Sequence, residues 1–493
     1  MAFSDLREFM ALLEERGLLK RVSVEVDPFL EITEIVDRLV KSGGCAVLFE
    51  NVKGYDVPVL ANLFGSMERI CLALGVDDLD DVGRRIEELL RFDVPGGLRG
   101  GLRMLSRLRE FAGFKPRIVK TGPCKEVVLR GGDASLDRFP ILTCWPGDGG
   151  PFITLPVVFT KNPRTGRQNV GMYRMQKFDS STTGMHWQIH KHGARDFEDA
   201  EERLEVAVVI GADPVVVYAA TAPLPEGFDE IFFAGFLRGK GVDLVKCESV
   251  DLFVPAGSEI VLEGYVEVGE TRMEGPFGDH TGYYSLPDLY PVFHITCITH
   301  RRSPIYHATV VGRPPMEDAY LGKATERIFL PILRAHFPEI VDMNLPVEGV
   351  FHNLAIVSID KRYPGHARKV MLGLWGLGQM SFTKVLIVVD RDVNVHDISE
   401  VLWAVTTRID PARDVILIPN TPTDTLDHAS SIPNLGSKMG IDATIKREDE
   451  GFMREWPSVL TMREDIKKWW MKNGVIMDCR PFIFLPHLLR AGA

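Results

Sequence analysis

The spacing of hydrophobic and polar positions changes along the chain, and each change predicts a different kind of structure. Between Ser4 and Gly17 the apolar residues recur with the helical period, so Ser4 can cap a helix that Gly17 ends. Apolar and polar residues then alternate over 19–26, as in a half-buried strand. The same reasoning predicts helices at 31–42 and 77–91, a strand at 46–50 and a connection at 95–102.

From about 125 to 312 the pattern changes to short β-type runs separated by Gly, Pro and Asp. Many strands without intervening helices predict a barrel or a compact antiparallel sheet. The predicted strands include 153–160, 206–210, 215–219, 260–268, 292–299 and 305–311.

After a predicted helix at 323–336, the order becomes strand, helix, strand, helix, strand. This order predicts a βαβαβ layer with a parallel sheet. Its strands are predicted at 354–359, 385–389 and 415–418, and its helices at 364–376 and 397–409. The last apolar strip, 481–489, follows Trp469 and Trp470, and we expect it to pack on its own fold or on a neighbouring subunit rather than on a membrane.

Composition narrows the functional classes. The chain has 493 residues and a mass of 55.2 kDa, which is enough for two or three domains. A net charge of -11 without a long Lys/Arg run argues against nucleic acid as a partner. The first residues have no apolar signal core, and the seven Cys are scattered without a Cys-x-x-Cys pair. We therefore expect a cytoplasmic protein without a disulfide framework or a zinc ribbon.

The loop Glu274-Gly-Pro-Phe-Gly-Asp279-His-Thr-Gly-Tyr-Tyr284 carries the clearest chemistry. Two carboxylates flank a Gly-Pro-Phe-Gly turn, which favours an irregular backbone that can hold acids in a chosen geometry. The plainer alternative is a surface turn with solvated acids. The aromatic residues that follow and the β-rich surroundings make that alternative weaker.

A second stretch combines Arg167-Gln-Asn169-Val-Gly-Met-Tyr-Arg174 with Met185-His-Trp-Gln-Ile-His-Lys-His-Gly193. Three His and a Lys within seven residues could form a metal site, an anion site or a solvated basic turn. An amide oxygen, an imidazole and a carboxylate together suit Mn²⁺ or Mg²⁺. Spacing alone does not choose the carboxylate.

Taken in order, these motifs resemble the UbiD decarboxylases, and the resemblance extends from residue 5 to about residue 446. Within that family the chain most resembles the 4-hydroxy-3-polyprenylbenzoate decarboxylases of ubiquinone biosynthesis. The matching segments are Asp5-Leu-Arg-Glu-Phe, Glu31-Ile-Thr-Glu-Ile, Thr143-Cys-Trp-Pro146, Asn169-x-Gly-x-Tyr-Arg174, Trp187-x-x-His190, Pro225-x-x-x-Asp-Glu230, Glu274 to Tyr284, Gly312-Arg-Pro-Pro315 and Gly436-Ser-Lys-Met-Gly-Ile-Asp442.

The resemblance implies a prenylated FMN cofactor whose phosphate is held through Mn²⁺ (or Mg²⁺), with K⁺ nearby. The implied metal ligands are Asn169, His190 and Glu230. The chain has His186 and His192 where close relatives carry Arg and Gly, so the resemblance does not fix the phosphate contacts there. The implied cofactor-binding residues are Met172, Tyr173, Arg174, His186, Trp187, Gln188, Lys191 and His192, together with Lys384.

The resemblance also implies a catalytic set of Glu274, Arg174 and Asp279. Loss of CO₂ from an aromatic ring leaves an electron pair that no side chain can accept, which explains the modified flavin and its covalent adduct with the substrate. Asp279 is the implied proton donor. We expect burial or repulsion from Glu274 to raise its pKa, and Arg174 to keep one of the two acids charged. An Asp at this position favours a 4-hydroxybenzoate-type substrate.

By resemblance the fold class is α/β (α+β), with a central split β-barrel that holds the cofactor. The expected order is an N-terminal α/β segment (1–115), the barrel (116–322), a linking helix (323–340), a C-terminal α/β oligomerisation domain (341–455) and a tail (456–493). A flavin prenyltransferase is the implied cofactor supplier, and a homodimer or homohexamer is the implied assembly, with peripheral membrane contact as an option.

Three alternatives stay open at this point. The substrate could be a soluble hydroxybenzoate or another quinone precursor instead of a polyprenylated acid. The chain could be a non-catalytic subunit of an aromatic carboxylase, although such a subunit should lack part of the catalytic set. It could also be a plain flavin-binding protein, which would bind ordinary FMN.

Overall fold

The computed structural model describes residues 3–90, 109–187, 192–225 and 227–473. The chain divides into a large unit that ends at Thr444 and a small one that starts at Ile445. Helices and sheets both contribute throughout the large unit, which confirms the mixed α and β fold class. The small unit contains a short 3₁₀ turn, Glu448–Glu450, and the helix Glu464–Asn473. The predicted apolar strip at 481–489 lies outside the described residues.

The N-terminal segment begins with the helix Leu6–Glu15, whose buried face is the one that the helical period predicts. Its cap is Asp5 rather than Ser4, because the Asp5 carboxylate accepts the backbone N–H of Glu8. The segment contains the helices Leu6–Glu15, Glu31–Lys41, Met67–Leu74 and Leu79–Leu90, and the strands Leu19–Val22, Ala46–Phe49 and Val59–Ala61. Tyr306–His307 joins these strands as the fourth member of their sheet.

The central region is built around an antiparallel sheet of seven strands. Its longest pair is Ile260–Glu274 with Asp288–His300, which brings Glu274 opposite Asp288 at the end of the hairpin. The loop between these two strands therefore starts directly after Glu274. The sheet consists of Val127–Arg130, Val157–Lys161, Gln168–Met172, Thr182–Gly184, Arg203–Ile210, Ile260–Glu274 and Asp288–His300.

Smaller sheets and helices surround this one. The short strands are Arg117–Val119, Phe152–Ile153, Met175–Gln176, Asp243–Lys246, Phe253–Pro255, Phe277–Gly278 and Tyr284–Ser285. The helices are His192–Glu198, Pro214–Ala219 and Glu230–Arg238.

The predicted strand at 215–219 is wrong, since Pro214–Ala219 is a helix. Asp213 caps it by accepting the N–H of Val215, and Pro214 occupies the first turn, where no N–H is needed. Every residue of this helix is buried, so its run of valines shows no helical period and reads like a buried strand.

The helix Glu317–His336 leads into the C-terminal layer and starts six residues before the predicted linking helix. The layer contains the helices His366–Trp375, Ile398–Arg408 and Pro411–Asp414 and the strands Ile340–Asn344, Leu354–Ile359, Val385–Asp390, Val415–Pro422 and Leu435–Asp442.

The sheet of this layer is parallel only at its centre. Val385–Asp390 lies between Leu354–Ile359 and Leu435–Asp442 and is parallel to both. Val415–Pro422 was predicted as a parallel strand, but it is an antiparallel edge strand that pairs with Leu435–Asp442. The predicted strand at 415–418 is one arm of a hairpin, and the prediction missed the second arm, Leu435–Asp442.

Among the described residues, no helix has both the length and the apolar character needed to cross a bilayer.

Candidate functional site

Arg174 stands two residues after the end of the strand Gln168–Met172 and binds both acids of the 274–284 loop. Its Nε donates to Glu274 Oε1 at 3.1 Å, and its Nη1 donates to Asp279 Oδ2. Its Nη2 donates to the hydroxyl of Ser285 at 3.0 Å. The guanidinium also lies 4.7 Å from the centre of the Phe277 ring. The structure thus brings together the predicted catalytic set, and sequence reasoning missed Ser285.

Close packing fixes the loop that carries Asp279. A Cβ on Gly278 would lie 2.1 Å from Cδ1 of Trp145, so only glycine fits there without displacing backbone or indole. The Gly278 N–H donates to Asp148 Oδ1 at 2.8 Å, and the Gly275 N–H donates to Gln176 Oε1 at 2.7 Å. The irregular Gly-Pro-Phe-Gly turn is therefore held from the neighbouring segments, and its acids are not solvated.

Glu274 is 1% exposed and has a second neighbour besides Arg174. His186 Nδ1 lies 2.9 Å from Glu274 Oε1, and the His186 ring stacks on Tyr290 with a centroid distance of 4.1 Å. Burial, followed by the negative charge of Glu274, raises the pKa of Tyr290 to about 12, so its hydroxyl keeps its proton. Glu274 Oε2 is buried and has no hydrogen-bond partner among the described residues. An unpaired buried carboxylate oxygen of this kind fits a site that receives a bound molecule.

Asp279 is charged in this structure. Burial alone would raise the pKa of its carboxyl, but the hydrogen bond to His280 and the charge of Arg174 outweigh burial and bring the pKa well below its usual range. This reverses the expectation of a raised pKa. A proton donor that is ionised at rest must receive its proton during the reaction cycle.

Three further residues near Asp279 were not predicted. His280 Nδ1 lies 2.8 Å from Asp279 Oδ1, and His280 Nε2 lies 2.8 Å from His352 Nε2. Asp318, in the first turn of the helix Glu317–His336, is the third. Burial raises the pKa of Asp318 to about 7, although the charge of His280 opposes that rise. His280 could have been found from its place in the loop, whereas His352 and Asp318 stand in segments without a recognisable motif.

Two of the three implied metal ligands are neighbours. Asn169 and Val170 are consecutive on one strand, and the Val170 N–H donates to Glu230 Oε2 at 3.2 Å. Glu230 is 5% exposed at the start of the helix Glu230–Arg238. His190 lies outside the described residues, and within the described ones no group of three or more His, Cys, Asp or Glu could hold a metal ion. An amide and a buried carboxylate nevertheless fit a hard divalent ion.

The implied cofactor-binding residues that can be described surround this pair. Tyr173 is buried, and its hydroxyl accepts the Gly193 N–H at 3.3 Å. Trp187 is buried too, and its Nε1 has no hydrogen-bond partner within the described part of the chain. Met172 is half-buried and packs against a different hydrophobic cluster from the one that contains Tyr173 and Trp187. Gln188 and Lys191 lie outside the described residues, and the side chain of His192 does as well.

Lys384 is in the C-terminal layer, where its Nζ donates to Asp427 Oδ1 at 2.7 Å. A contact between Lys384 and a cofactor phosphate would compete with this ion pair. Its role at the phosphate stays a prediction.

Three family models match successive parts of the chain. They are the N-terminal domain of 3-octaprenyl-4-hydroxybenzoate carboxy-lyase (residues 10–89), its Rift-related domain (117–314) and its C-terminal domain (319–443).

A protein of Archaeoglobus fulgidus described as uncharacterised is 60% identical over 472 residues, which cover 95% of this chain and 97% of the relative. Vanillic acid decarboxylase of Sedimentibacter hydroxybenzoicus is 32% identical, and the match covers 97% of this chain and 99% of that chain. Its closed form matches with a TM-score of 0.84 and its open form with 0.77.

The UbiD-class enzyme HmfF of Pelotomaculum thermopropionicum, solved in complex with FMN, is 34% identical with a TM-score of 0.77. That match covers 92% of this chain and 97% of the enzyme. An evolved dimeric form of HmfF in complex with prFMN is 33% identical with a TM-score of 0.77, over 94% of this chain and 98% of that one. The three family models and these relatives together establish that the chain belongs to the UbiD family of carboxy-lyases.

Proposed function

We propose that this protein removes CO₂ reversibly from a 4-hydroxybenzoate-type acid with the help of prenylated FMN. The observation that carries the proposal is Arg174, which binds two buried carboxylates of unequal surroundings. Glu274 is paired with Arg174 and His186, whereas Asp279 is paired with Arg174 and His280. A non-catalytic subunit would have no reason to keep this arrangement buried and complete.

Residues of this chain would hold the cofactor, orient the proton donor and deliver the proton to the ring. Asn169, Glu230 and the predicted ligand His190 would hold the phosphate through a divalent ion such as Mn²⁺. When bound, prenylated FMN supplies the electron sink that the departing CO₂ requires. Trp187 and Tyr173 offer buried aromatic surface and a free indole donor beside that place. Asp279 delivers the proton that replaces CO₂ on the ring, and Arg174 orients Asp279 for that step.

The substrate class follows from the relatives and from Asp279. Vanillic acid is a 4-hydroxybenzoate with a small substituent at C3, and the family models are described by an acid with an octaprenyl group at C3. Both acids share the para-hydroxyl, which eases ring activation by allowing a quinoid form. Our first choice is the polyprenylated acid of ubiquinone biosynthesis. A soluble 3-substituted 4-hydroxybenzoate is the second candidate, favoured by the TM-score of 0.84 to vanillic acid decarboxylase.

The test is co-expression with a flavin prenyltransferase, followed by mass spectrometry of the bound flavin. CO₂ release is then measured with 4-hydroxybenzoate, vanillate and a 3-prenyl-4-hydroxybenzoate. We expect modified flavin and release of CO₂ from at least one 4-hydroxy acid, and none from benzoate. Ordinary FMN with no CO₂ release from any acid would favour the plain flavin-binding alternative and refute the proposal.

The assembly is part of the same proposal. We expect a homodimer or homohexamer formed through the C-terminal layer, and size-exclusion chromatography with light scattering measures this directly. Retention of activity in a monomeric sample would remove assembly from the requirements for catalysis.

A further inference from the structure

Asp279, His280 and His352 form a continuous hydrogen-bonded chain. Asp279 Oδ1 lies 2.8 Å from His280 Nδ1, and the two Nε2 atoms of His280 and His352 lie 2.8 Å apart. A hydrogen bond between two imidazole nitrogens needs a proton on one of them and a lone pair on the other. One proton therefore always lies between the two rings, and a second proton lies between His280 and Asp279.

The series of hydrogen bonds leads from the buried Asp279 towards solvent. The Asp279 side chain is 8% exposed and the His280 side chain 19%, and His352 is only partly buried. His352 stands in the segment before the strand Leu354–Ile359 and packs its ring against Phe351. Asp279 is buried and both histidines are only partly buried, as a path for protons from solvent to a buried acid requires.

Acidic groups on separate elements raise the pKa of His280. Burial opposes the charged imidazole, but the hydrogen bond and the charge of Asp279, together with the charges of Asp318 and Asp424, raise its pKa. Both carboxylate oxygens of Asp318 are buried and have no hydrogen-bond partner in the described part of the chain. The main interaction of Asp318 with this chain is thus electrostatic, through its charge.

We propose that His280 and His352 form a proton relay that recharges Asp279 in every turnover. This inference rests on the proposed function, because a proton has to replace CO₂ on the product. His280 and His352 are positioning residues in this scheme, since they act on the reacting carbon only through Asp279.

The relay takes up one proton from solvent for each proton that the product receives. When the bond between the ring and CO₂ breaks, the electron pair stays on the ring carbon, and that carbon takes one proton from Asp279. Asp279 is loaded before this step: a neutral His280 with its proton on Nδ1 gives that proton to Asp279 as its Nε2 accepts the Nε2 proton of His352. Once Asp279 has given up its proton, His280 returns to the Nδ1–H tautomer by proton exchange with solvent. His352 regains a proton from solvent, so each turnover consumes one carboxylate and one solvent proton and yields CO₂ and the protonated ring.

The relay joins two parts of the large unit. His280 follows the catalytic acid on the central hairpin loop, whereas His352 belongs to the C-terminal layer. The bond between the rings exists only while these two parts are in contact. The chain matches the closed form of vanillic acid decarboxylase better than the open form, with TM-scores of 0.84 and 0.77. Proton supply would accordingly be connected only in the closed arrangement.

The kinetic test uses variants that keep the hydrogen bonds but cannot carry a proton. His280→Asn replaces the Nδ1 donor, and His352→Gln replaces the Nε2 group. On flavin-loaded enzyme we expect kcat to fall by about 10²-fold with little change in KM, as for loss of a positioned proton carrier. Added imidazole should restore part of the rate of His352→Gln, and the solvent deuterium effect on kcat should rise. His336→Gln, an exposed histidine, is the matched control and should behave as wild type.

The second readout does not need activity. In flavin-free protein labelled with ¹⁵N-histidine, the NMR titration of His280 should start above the usual pKa and should shift in His352→Gln but not in His336→Gln. Turnover by wild type with an unchanged kcat and an unchanged titration in His352→Gln would overturn the relay. An inactive wild type with a shifted titration would instead refute the proposed function and leave the coupled imidazoles established. An inactive wild type with an unchanged titration would refute both.

Discussion

Replacing Arg174 by Gln tests whether its charge stabilises the two acids of the site. The side chains involved are buried: 11% of Arg174, 8% of Asp279 and none of Glu274 is exposed. Removing one partner of a buried ion pair costs about 3–5 kcal/mol, because it leaves an uncompensated charge in a poorly solvated place. His186 and His280 still contact the acids, so we expect the lower end, about 3 kcal/mol.

In a protein of this size the loss of stability is best measured as a decrease in the melting temperature. The unit that contains Arg174 runs to Thr444, and at about 2.1 cal/mol/K of unfolding entropy per residue 1 kcal/mol corresponds to about 1 °C, so Arg174→Gln should lower the melting temperature by about 3 °C near neutral pH. Arg272→Gln is the matched control. Arg272 is 53% exposed and lies 3.6 Å from Asp179, and exposed pairs contribute at most about 1 kcal/mol.

The pH dependence separates charge from packing. The pKa of Asp279 is below its ordinary value of 3.8, so its stabilising effect is complete above that pH and is lost as the pH falls through the lower, folded value. In Arg174→Gln the carboxylate of Asp279 can take up a proton more easily. The difference in melting temperature should therefore shrink as the pH is lowered from about 8 to about 4.5. A difference that stays constant over this range, or one no larger than that of Arg272→Gln, would show that charge pairing does not hold the site.

Three further variants address the proton donor, the loop and the buried acid behind it. Asp279→Asn should retain flavin, measured by absorbance after gel filtration, and should lower CO₂ release by about 10²–10⁴-fold; undiminished release would remove Asp279 from the mechanism. Gly278→Ala should reduce CO₂ release because its Cβ would approach Trp145 to 2.1 Å, whereas Gly132→Ala, with nothing within 4 Å, should not. Asp318→Asn should raise the melting temperature more at about pH 8 than at about pH 5, because the cost of the raised pKa begins near the unfolded value of 3.8 and grows until the pH reaches the folded value of about 7; equal effects at both values would contradict the burial of this carboxylate.

The sequence predicted an element correctly where its hydrophobic pattern reflects burial alone. The buried face of the helix Leu6–Glu15 follows the helical period, and the predicted strands at 260–268 and 292–299 lie within the longer strands Ile260–Glu274 and Asp288–His300. The errors arose where burial removes the period or where pairing is remote. Pro214–Ala219 is buried on all sides and looked like a strand, and the antiparallel direction of Val415–Pro422 depends on a partner that comes later in the chain.

The site residues likewise divide into those that a sequence motif identifies and those that only the fold brings to the site. Glu274, Asp279 and Arg174 could be named from motifs because each occupies a recognisable segment, and the structure brings them into contact. Their electrostatics could not be predicted, because the pKa of Asp279 depends on His280 as much as on Arg174. His352 is invisible to sequence reasoning, since it meets the loop only through the fold.

The lowered pKa of Asp279 and its role as a proton donor are compatible if the substrate changes the balance of charges. At rest Arg174 is shared by two carboxylates, and the hydrogen bond with His280 also lowers the pKa of Asp279. A substrate carboxylate near Arg174 would divide the guanidinium charge among three anions and raise the pKa of Asp279. Asp279 then becomes a better proton acceptor from His280 at the moment when the acid to be decarboxylated is in place. The arrangement would thereby tie protonation of the donor to the presence of substrate, and an empty site would keep Asp279 ionised.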